Sequence, residues 1–278
     1  MHKILILGRG FIGTKLFNFL TEKNLDVLAF NQNVLDYTNE YRLSSFLREY
    51  NFSHIINCCG YTGVPNVDGC ELNKELCWKY NVVVPQLIDK LSLRYGIKAI
   101  HISSGCIYTG YEKAFEETDV PNFGLFNPSS SFYSKTKHAF ETVFEKQHNV
   151  ILRIRMPFTS IRESKNYLYK IFKYDNLISS QNSLTSIDDL NEFILKFLDR
   201  YEPGIYNVVN TQSMCADEIV SLFKSIHKVN ENWKFVEIKD LDIVAGRSNC
   251  VLSTDKIKRL GLELPDTFVS VEKSIKLL

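Results

Sequence analysis

Five short apolar runs punctuate the first half of the chain: Lys3–Leu7, Asp26–Phe30, His54–Asn57, Lys98–Ser103 and Val150–Arg155. Their apolar residues are nearly continuous rather than alternating, the pattern of strands buried on both faces. Between them, apolar positions recur at helical spacing over Ile12–Glu22, Tyr41–Glu49, Cys70–Arg94 and Tyr133–Lys146. Strand–helix alternation of this kind predicts an α/β fold, a Rossmann-type doubly wound parallel sheet. After about residue 160 the pattern loosens. Helical runs at Tyr167–Tyr174, Ile187–Arg200 and Ala216–His227 are interspersed with short strands such as Ile205–Val209 and Phe235–Glu237. The expected division is a dinucleotide-binding domain over 1–160, completed by later sheet segments around 177–210. Residues 161–278 then form, for the most part, a small mixed C-terminal substrate-binding cap built from non-contiguous pieces.

Composition narrows the function classes. With 33 basic and 32 acidic side chains the net charge is only +1, which argues against a dedicated nucleic-acid or membrane binder. The 7 cysteines show neither zinc-finger nor disulfide-scaffold spacing, the six histidines form no metal cluster, and no metal is expected. Scattered free thiols and the lack of a leader or an apolar span of about 20 residues point to the cytoplasm.

The stretch "ILILGRGFIG" places Gly8, Gly10 and Gly13 between a strand and a helix. Gly8 suits the tight turn, Gly10 the approach of a pyrophosphate, and Gly13 the close packing of helix on strand. Arg9, Phe11 and Ile12 complete a loop whose helix N-terminus favours phosphate. The second strand ends in "NQN", with no carboxylate to hold an adenosine ribose. Asn31 tolerates a 2′-phosphate there and Arg9 is placed to pair with one, so NADPH is the expected cofactor. Asp36, further on, is read either as an adenine contact or as a cap for the next helix.

In "SFYSKTK", Tyr133 and Lys137 lie one helical turn apart. A tyrosine beside an ammonium can exchange protons nearer neutrality than its ordinary pKa of about 10 allows. Ser104, ending the strand before it, is placed to hold a carbonyl oxygen as charge develops. Glycine loop, serine, tyrosine and lysine in this order resemble the extended short-chain dehydrogenase/reductase superfamily.

Further segments are more specific. "INCCGYTGVPNVDGCE", "SSGCIY", "EETDVPNF", "SFYSKTK", "LRIRMPF", "NYLYKIFKY" and "RSNCVLSTDKIKRL" together resemble the nucleotide-rhamnose synthase/epimerase-reductase family. The resemblance implies a bifunctional 3,5-epimerase/4-reductase that converts a UDP- or dTDP-4-keto-6-deoxyhexose to a 6-deoxy-L-hexose nucleotide such as UDP-L-rhamnose. Such an enzyme uses NADPH and works as a homodimer. A 4-ketone acidifies the hydrogens at C3 and C5, and inverting either centre needs two proton-exchanging groups beside the ring. By resemblance these are Cys106 and Lys170, the alternative for Cys106 being a small buried hydrophobe. The resemblance also places Cys58, Cys59, Gly60 and Pro157 at the cofactor. Thr62, Asn66, Asn81, Asn166 and Arg247 are assigned to the sugar-nucleotide site: Asn81 as the helix asparagine that organises its backbone, Thr62 and Asn66 as pocket lining or a solvated loop, and Arg247 as a diphosphate partner or a surface salt bridge. Alternatives are a 3-epimerase/4-reductase of a 2-acetamido sugar, a simple 4-ketoreductase, and a non-catalytic dinucleotide-sensing subunit.

Overall fold

The computed structural model describes residues 2–144, 146–229 and 232–278. Six parallel strands form the central sheet: β1 (Lys3–Leu7), β2 (Asp26–Phe30), β3 (His54–Asn57), β4 (Lys98–Ser104), β5 (Val150–Ile154) and β6 (Gly204–Asn207). Their spatial order is β6-β5-β4-β3-β1-β2. Order reverses between β1 and β3, which pair Leu7 with Asn57 at their carboxyl ends. A doubly wound sheet opens its binding crevice at such a point.

The strands read as continuous apolar runs because successive side chains enter two different cores. Ile4 and Ile6 face α1 (Phe11–Glu22) and α6 (Ile187–Asp199), packing with Leu16, Leu20, Leu190 and Phe197. Leu5 and Leu7 face α2 (Glu40–Glu49) and α3 (Val84–Tyr95), packing with Leu43, Leu47, Ile88 and Leu91. Farther along that face α4 (Phe132–Val143) contributes Phe140 against Ile151 and Ile205. A separate core joins α5 (Tyr167–Ile171), α7 (Ala216–His227) and α8 (Thr267–Leu277) through Leu168, Ile171, Ile219, Val271 and Ile275. Phe158 enters this third core, whereas α6 and β6 pack with the main sheet.

Three expectations need correction. The helical run Cys70–Arg94 is broken into the helices Asp68–Leu72 and Lys74–Trp78, a π-turn at Lys79–Val83, and α3. Asn73 leaves the helical region at φ −128° and turns its amide back to Gly69 O at 3.0 Å. Pro85, near the start of α3, has no N–H to return to residue 81, and the chain widens just before it. The run Tyr133–Lys146 ends as a helix at Val143, and Glu145 lies outside the described residues. Asp36 does not cap α2; Asn39 does, accepting from Arg42 N at 3.1 Å. The Asp36 carboxylate is engaged by Thr38, which holds it below the usual aspartate range.

One charged contact fixes α4 on the sheet. Arg153 of β5 donates to Glu141 of α4 at 2.7 Å, with both side chains almost fully buried. Ser103 Oγ donates to the same carboxylate at 3.1 Å, and Arg153 Nη1 reaches Tyr108 Oη at 3.0 Å. Removing one partner would strand the other charge away from water. Glu141→Ala is therefore expected to cost roughly 3–5 kcal/mol. Denaturant unfolding checks this, as a lower midpoint with an unchanged slope.

Candidate active site

The first wall of the site is the loop after β1. Gly8 adopts φ +94°, and a Cβ there would lie 2.7 Å from Cys59 N. A Cβ on Gly13 would meet Gly8 O at 2.0 Å and Cys58 Cβ at 3.1 Å. Both glycines let α1 start tight against the β1–β3 crevice, with its free N–H groups facing outward. Arg9 N donates to Asn31 Oδ1 at 2.8 Å, tying the loop to the end of β2. The Arg9 guanidinium lies exposed over the Phe17 ring, 4.8 Å from its centre. Cys59 is held in place by its neighbours: burial pushes its thiol up to about 12, and its sulfur donates to Asn57 Oδ1 at 2.6 Å.

In front of this loop lies a cavity of about 360 Å³. Gly10, Phe11, Ile12, Cys58, Cys59 and Gly60 form its cofactor-side wall. Ser104, Tyr133, Lys137 and Pro157 line the remainder, joined by Thr62, Lys165 and Lys170. The three reductive residues expected from sequence thus share one space with Lys170. Lys137 Nζ is 5.7 Å from the centre of the Tyr133 ring. Burial raises Tyr133 well above the ordinary tyrosine range and lowers Lys137. The expected downward pull on Tyr133 is therefore outweighed by desolvation, and the phenol rests protonated.

Cys106 does not stand on the cavity wall. It is 8% exposed, with Ser104 and Ser134 as hydrogen-bonding neighbours of its thiol, and Tyr133 within electrostatic reach. Its backbone N–H donates to Ser104 Oγ at 3.2 Å. Burial raises the Cys106 thiol and favours its neutral form beside the Ser104 and Ser134 hydroxyls. Lys170 shifts the opposite way: burial, then the charge of Lys165, lowers it and favours the free amine.

A second cavity of about 360 Å³ opens on the cap side. It is lined by Asn66, Asp68, Tyr167, Tyr174, Asp242 and Arg247, and it shares Met156 and Lys170 with the first. Met156 adopts φ +39°, the left-handed region, where the chain leaves β5. Arg247 lines this space but forms a bidentate pair with Asp68, at 2.9 Å for each bond. Asn66 also lines it, its side chain accepting from Asp68 N at 2.8 Å. Thr62 belongs to the cofactor-side cavity instead, where its hydroxyl accepts from Lys165.

Asn81 and Asn166 are fully buried and line neither cavity; Asn81 organises the backbone beside the site, as the resemblance implies. Asn81, in the π-turn, bonds both Tyr61 N and Tyr61 O at 2.9 Å and reaches Thr136 Oγ1 at 3.1 Å. It braces the loop after β3 against α4. Asn166 caps α5 by accepting from Leu168 N at 3.1 Å, and its amide bonds Thr159 O and Ile161 O. It thereby sets the direction of the helix carrying Lys170. Sequence reasoning passed over Lys165 as one more surface lysine, although it lies directly before "NYLYKIFKY". Among the described residues no cluster of three or more His, Cys, Asp or Glu side chains suits a metal ion. No helix there is long and apolar enough to cross a membrane.

The absence of a Cβ at residue 13 is testable. Gly13→Ala forces α1 away from Gly8 O, an overpacking cost of about 1–3 kcal/mol. Dinucleotide affinity, read by fluorescence titration, is expected to fall about tenfold or more.

Comparison with known proteins matches this geometry. The RmlD substrate binding domain family aligns with residues 1–276. A bifunctional dTDP-4-dehydrorhamnose 3,5-epimerase/dTDP-4-dehydrorhamnose reductase of Arabidopsis thaliana is 32% identical over 235 residues, 81% of this chain and 75% of that protein. A trifunctional UDP-glucose 4,6-dehydratase/UDP-4-keto-6-deoxy-D-glucose 3,5-epimerase/UDP-4-keto-L-rhamnose-reductase of the same plant is 30% identical over 286 residues. That match covers 98% of this chain but only 41% of the plant protein. Among solved structures, the L780 UDP-rhamnose synthase of Acanthamoeba polyphaga mimivirus superimposes with a TM-score of 0.92 at 24% identity, over 100% of both chains. A dTDP-4-dehydrorhamnose reductase of Bacillus anthracis in complex with NADP gives 0.85 at 22%, over 99% of this chain and 98% of the other. The structural likenesses establish the fold. The sequence matches establish that the chain belongs to the RmlD substrate-binding domain family of extended short-chain dehydrogenase/reductases, a family of nucleotide-sugar reductases and epimerase-reductases.

Proposed function

We propose that the protein is an NADPH-dependent 3,5-epimerase/4-reductase. Its substrate would be a UDP- or dTDP-4-keto-6-deoxyhexose and its product a 6-deoxy-L-hexose nucleotide such as UDP-L-rhamnose. The observation that carries this reading is the meeting of Ser104, Tyr133, Lys137 and Lys170 around one cavity, with the Cys106 thiol beside the Ser104 hydroxyl and within electrostatic reach of Tyr133. It is supported by the names of the relatives: the Arabidopsis proteins combine 3,5-epimerase and reductase steps, and the mimivirus structure is a UDP-rhamnose synthase. The loop at Gly8–Gly13 fits a dinucleotide, since a side chain at residue 8 or 13 would fill its cradle. NADP in the Bacillus structure and the lack of a carboxylate at the end of β2 both favour NADPH.

The chemistry follows from charge states set by burial. The sugar's C4 oxygen sits between the hydroxyls of Ser104 and Tyr133. The free amine of Lys170 takes a proton from the carbon beside the ketone, and the negative charge passes to the C4 oxygen, where the two hydroxyls stabilise it. The proton returned to the opposite face, which inverts the centre, comes from the Cys106 thiol, whose side chain must turn from behind Ser104 into the cavity to deliver it. Thiolate and ammonium are then reset by exchange with water, and repetition at the other α-carbon completes the double inversion. NADPH supplies the hydride for C4 when bound. Tyr133 gives its phenolic proton to the C4 oxygen, and Lys137 is the nearest cation for the phenolate that remains.

Incubating the enzyme with the 4-keto substrate in deuterium oxide without NADPH is expected to place deuterium at C3 and C5, read by NMR. No incorporation by the wild type would sink the epimerase half of this reading. Cys106→Ala is expected to abolish exchange while NADPH still titrates normally. Tyr133→Phe removes the proton donor and is expected to slow reduction by about 10²–10⁴-fold, measured as NADPH consumption.

A further inference from the structure

Two lysines face the cavity in front of the reducing residues, and their surroundings differ. Lys165 and Lys170 stand five positions apart, on either side of the Asn166 cap. Lys165 Nζ donates to Thr62 Oγ1 and to Gly63 O, each at 2.8 Å. Both acceptors belong to the loop after β3, so this amine is fixed from the sheet side of the cleft. Lys170 Nζ has neither a hydrogen-bond acceptor nor an acidic partner among the described residues. A proton on residue 165 is supported by two oxygens. A proton on residue 170 is supported by none.

The other ionisable groups around Lys170 leave that contrast in place. On the cofactor side they are Lys137, the protonated phenol of Tyr133, and the buried thiols of Cys58 and Cys59. On the cap side Asp68 is already paired with Arg247, and Asp242 stands exposed at the lip. Tyr167 and Tyr174, from its own segment, are the remaining ionisable groups on that side. Of the elements packed against α5, α7 presents only Ala216 to the cavity, and the strand Pro157–Phe158 carries no ionisable side chain. Burial pulls Lys165 down as well, but its two acceptors favour the charged form.

We propose that Lys165 is a positioning residue for Lys170: a cation anchored by Thr62 and Gly63 whose charge sets the protonation state in which Lys170 meets the sugar. The inference rests on the reading of Lys170 as the base that takes the ring proton. An ammonium cannot accept a proton and an amine can, so a second cation held beside a desolvated lysine favours the form that acts as a base. The arrangement joins the two halves of the molecule. The base is carried by the cap, and the charge that conditions it is held by the dinucleotide-binding domain.

The test measures Lys170 directly in the free, full-length protein. Its rate of acetylation by acetic anhydride is followed across pH by peptide mass spectrometry in wild type, Lys165→Met and Lys165→Arg. Removing a like charge favours the ammonium, so the midpoint in Lys165→Met is expected to move upward by about one pH unit. Lys165→Arg keeps the charge and is expected to stay near wild type. Ring-proton exchange in the same variants is expected to follow. Its rise with pH moves upward in Lys165→Met, leaving exchange roughly tenfold slower at a fixed pH below the midpoint. If Lys165→Met is too unstable to assay, Thr62→Val removes one anchor of the same amine, and a smaller upward shift is expected. An unmoved Lys170 midpoint in these variants overturns the proposal, even if exchange slows, because a merely structural role would lower the rate without moving the pH dependence. A midpoint that moves while wild-type enzyme shows no ring exchange overturns the epimerase reading instead.

Discussion

The Glu141–Arg153 pair, sealed between α4 and β5, is the constraint on which the reaction centre depends. α4 carries Tyr133 and Lys137, β4 carries Ser104, and the pair with its Ser103 and Tyr108 partners locks helix to sheet. Few other contacts could set the helix's rotation so firmly, because a buried ion pair tolerates neither loss of a partner nor a large change in geometry. Further bonds secure the start of the same helix. Ser131 caps it, and Glu71 accepts from Phe132 N at 2.6 Å. The result is a phenol and an amine whose separation is decided well away from the place where they act.

Dryness organises the rest. Burial raises Tyr133 and Cys106 and lowers Lys137 and Lys170, so one physical cause leaves the acids protonated and the lysines readier to give up their protons. That is the resting state a site needs if it is to donate protons from sulfur and oxygen and accept them on nitrogen. The expectation that Lys137 alone would draw Tyr133 toward neutrality considered one charge and left out the loss of water.

Much of this was legible in the chain. The strand runs matched the sheet closely, because strands covered on both faces carry an unbroken apolar signal, and the glycine loop fell where the strand order reverses. That Ser104, Tyr133 and Lys137 share one cavity was legible because they sit at fixed offsets on one strand and one helix. What spacing does not encode is the layer a side chain occupies. Asn81 and Asn166 fall in loops and helix starts near the site, yet both turn inward to satisfy backbone groups. Cys106 follows Ser104 by two residues but lies behind it rather than on the cavity wall. The break at Asn73 and the π-turn before Pro85 interrupt a run whose apolar periodicity is continuous, since backbone hydrogen-bonding limits do not appear in hydropathy. Lys165 was passed over because a lysine in a polar stretch reads as solvated until its acceptors are known.

Only Met156 and Lys170 belong to both chambers. Among the described residues the two spaces therefore meet at these two side chains. Substitutions elsewhere on the walls of one chamber leave the lining of the other intact. A change at either of the two shared residues alters both spaces at once.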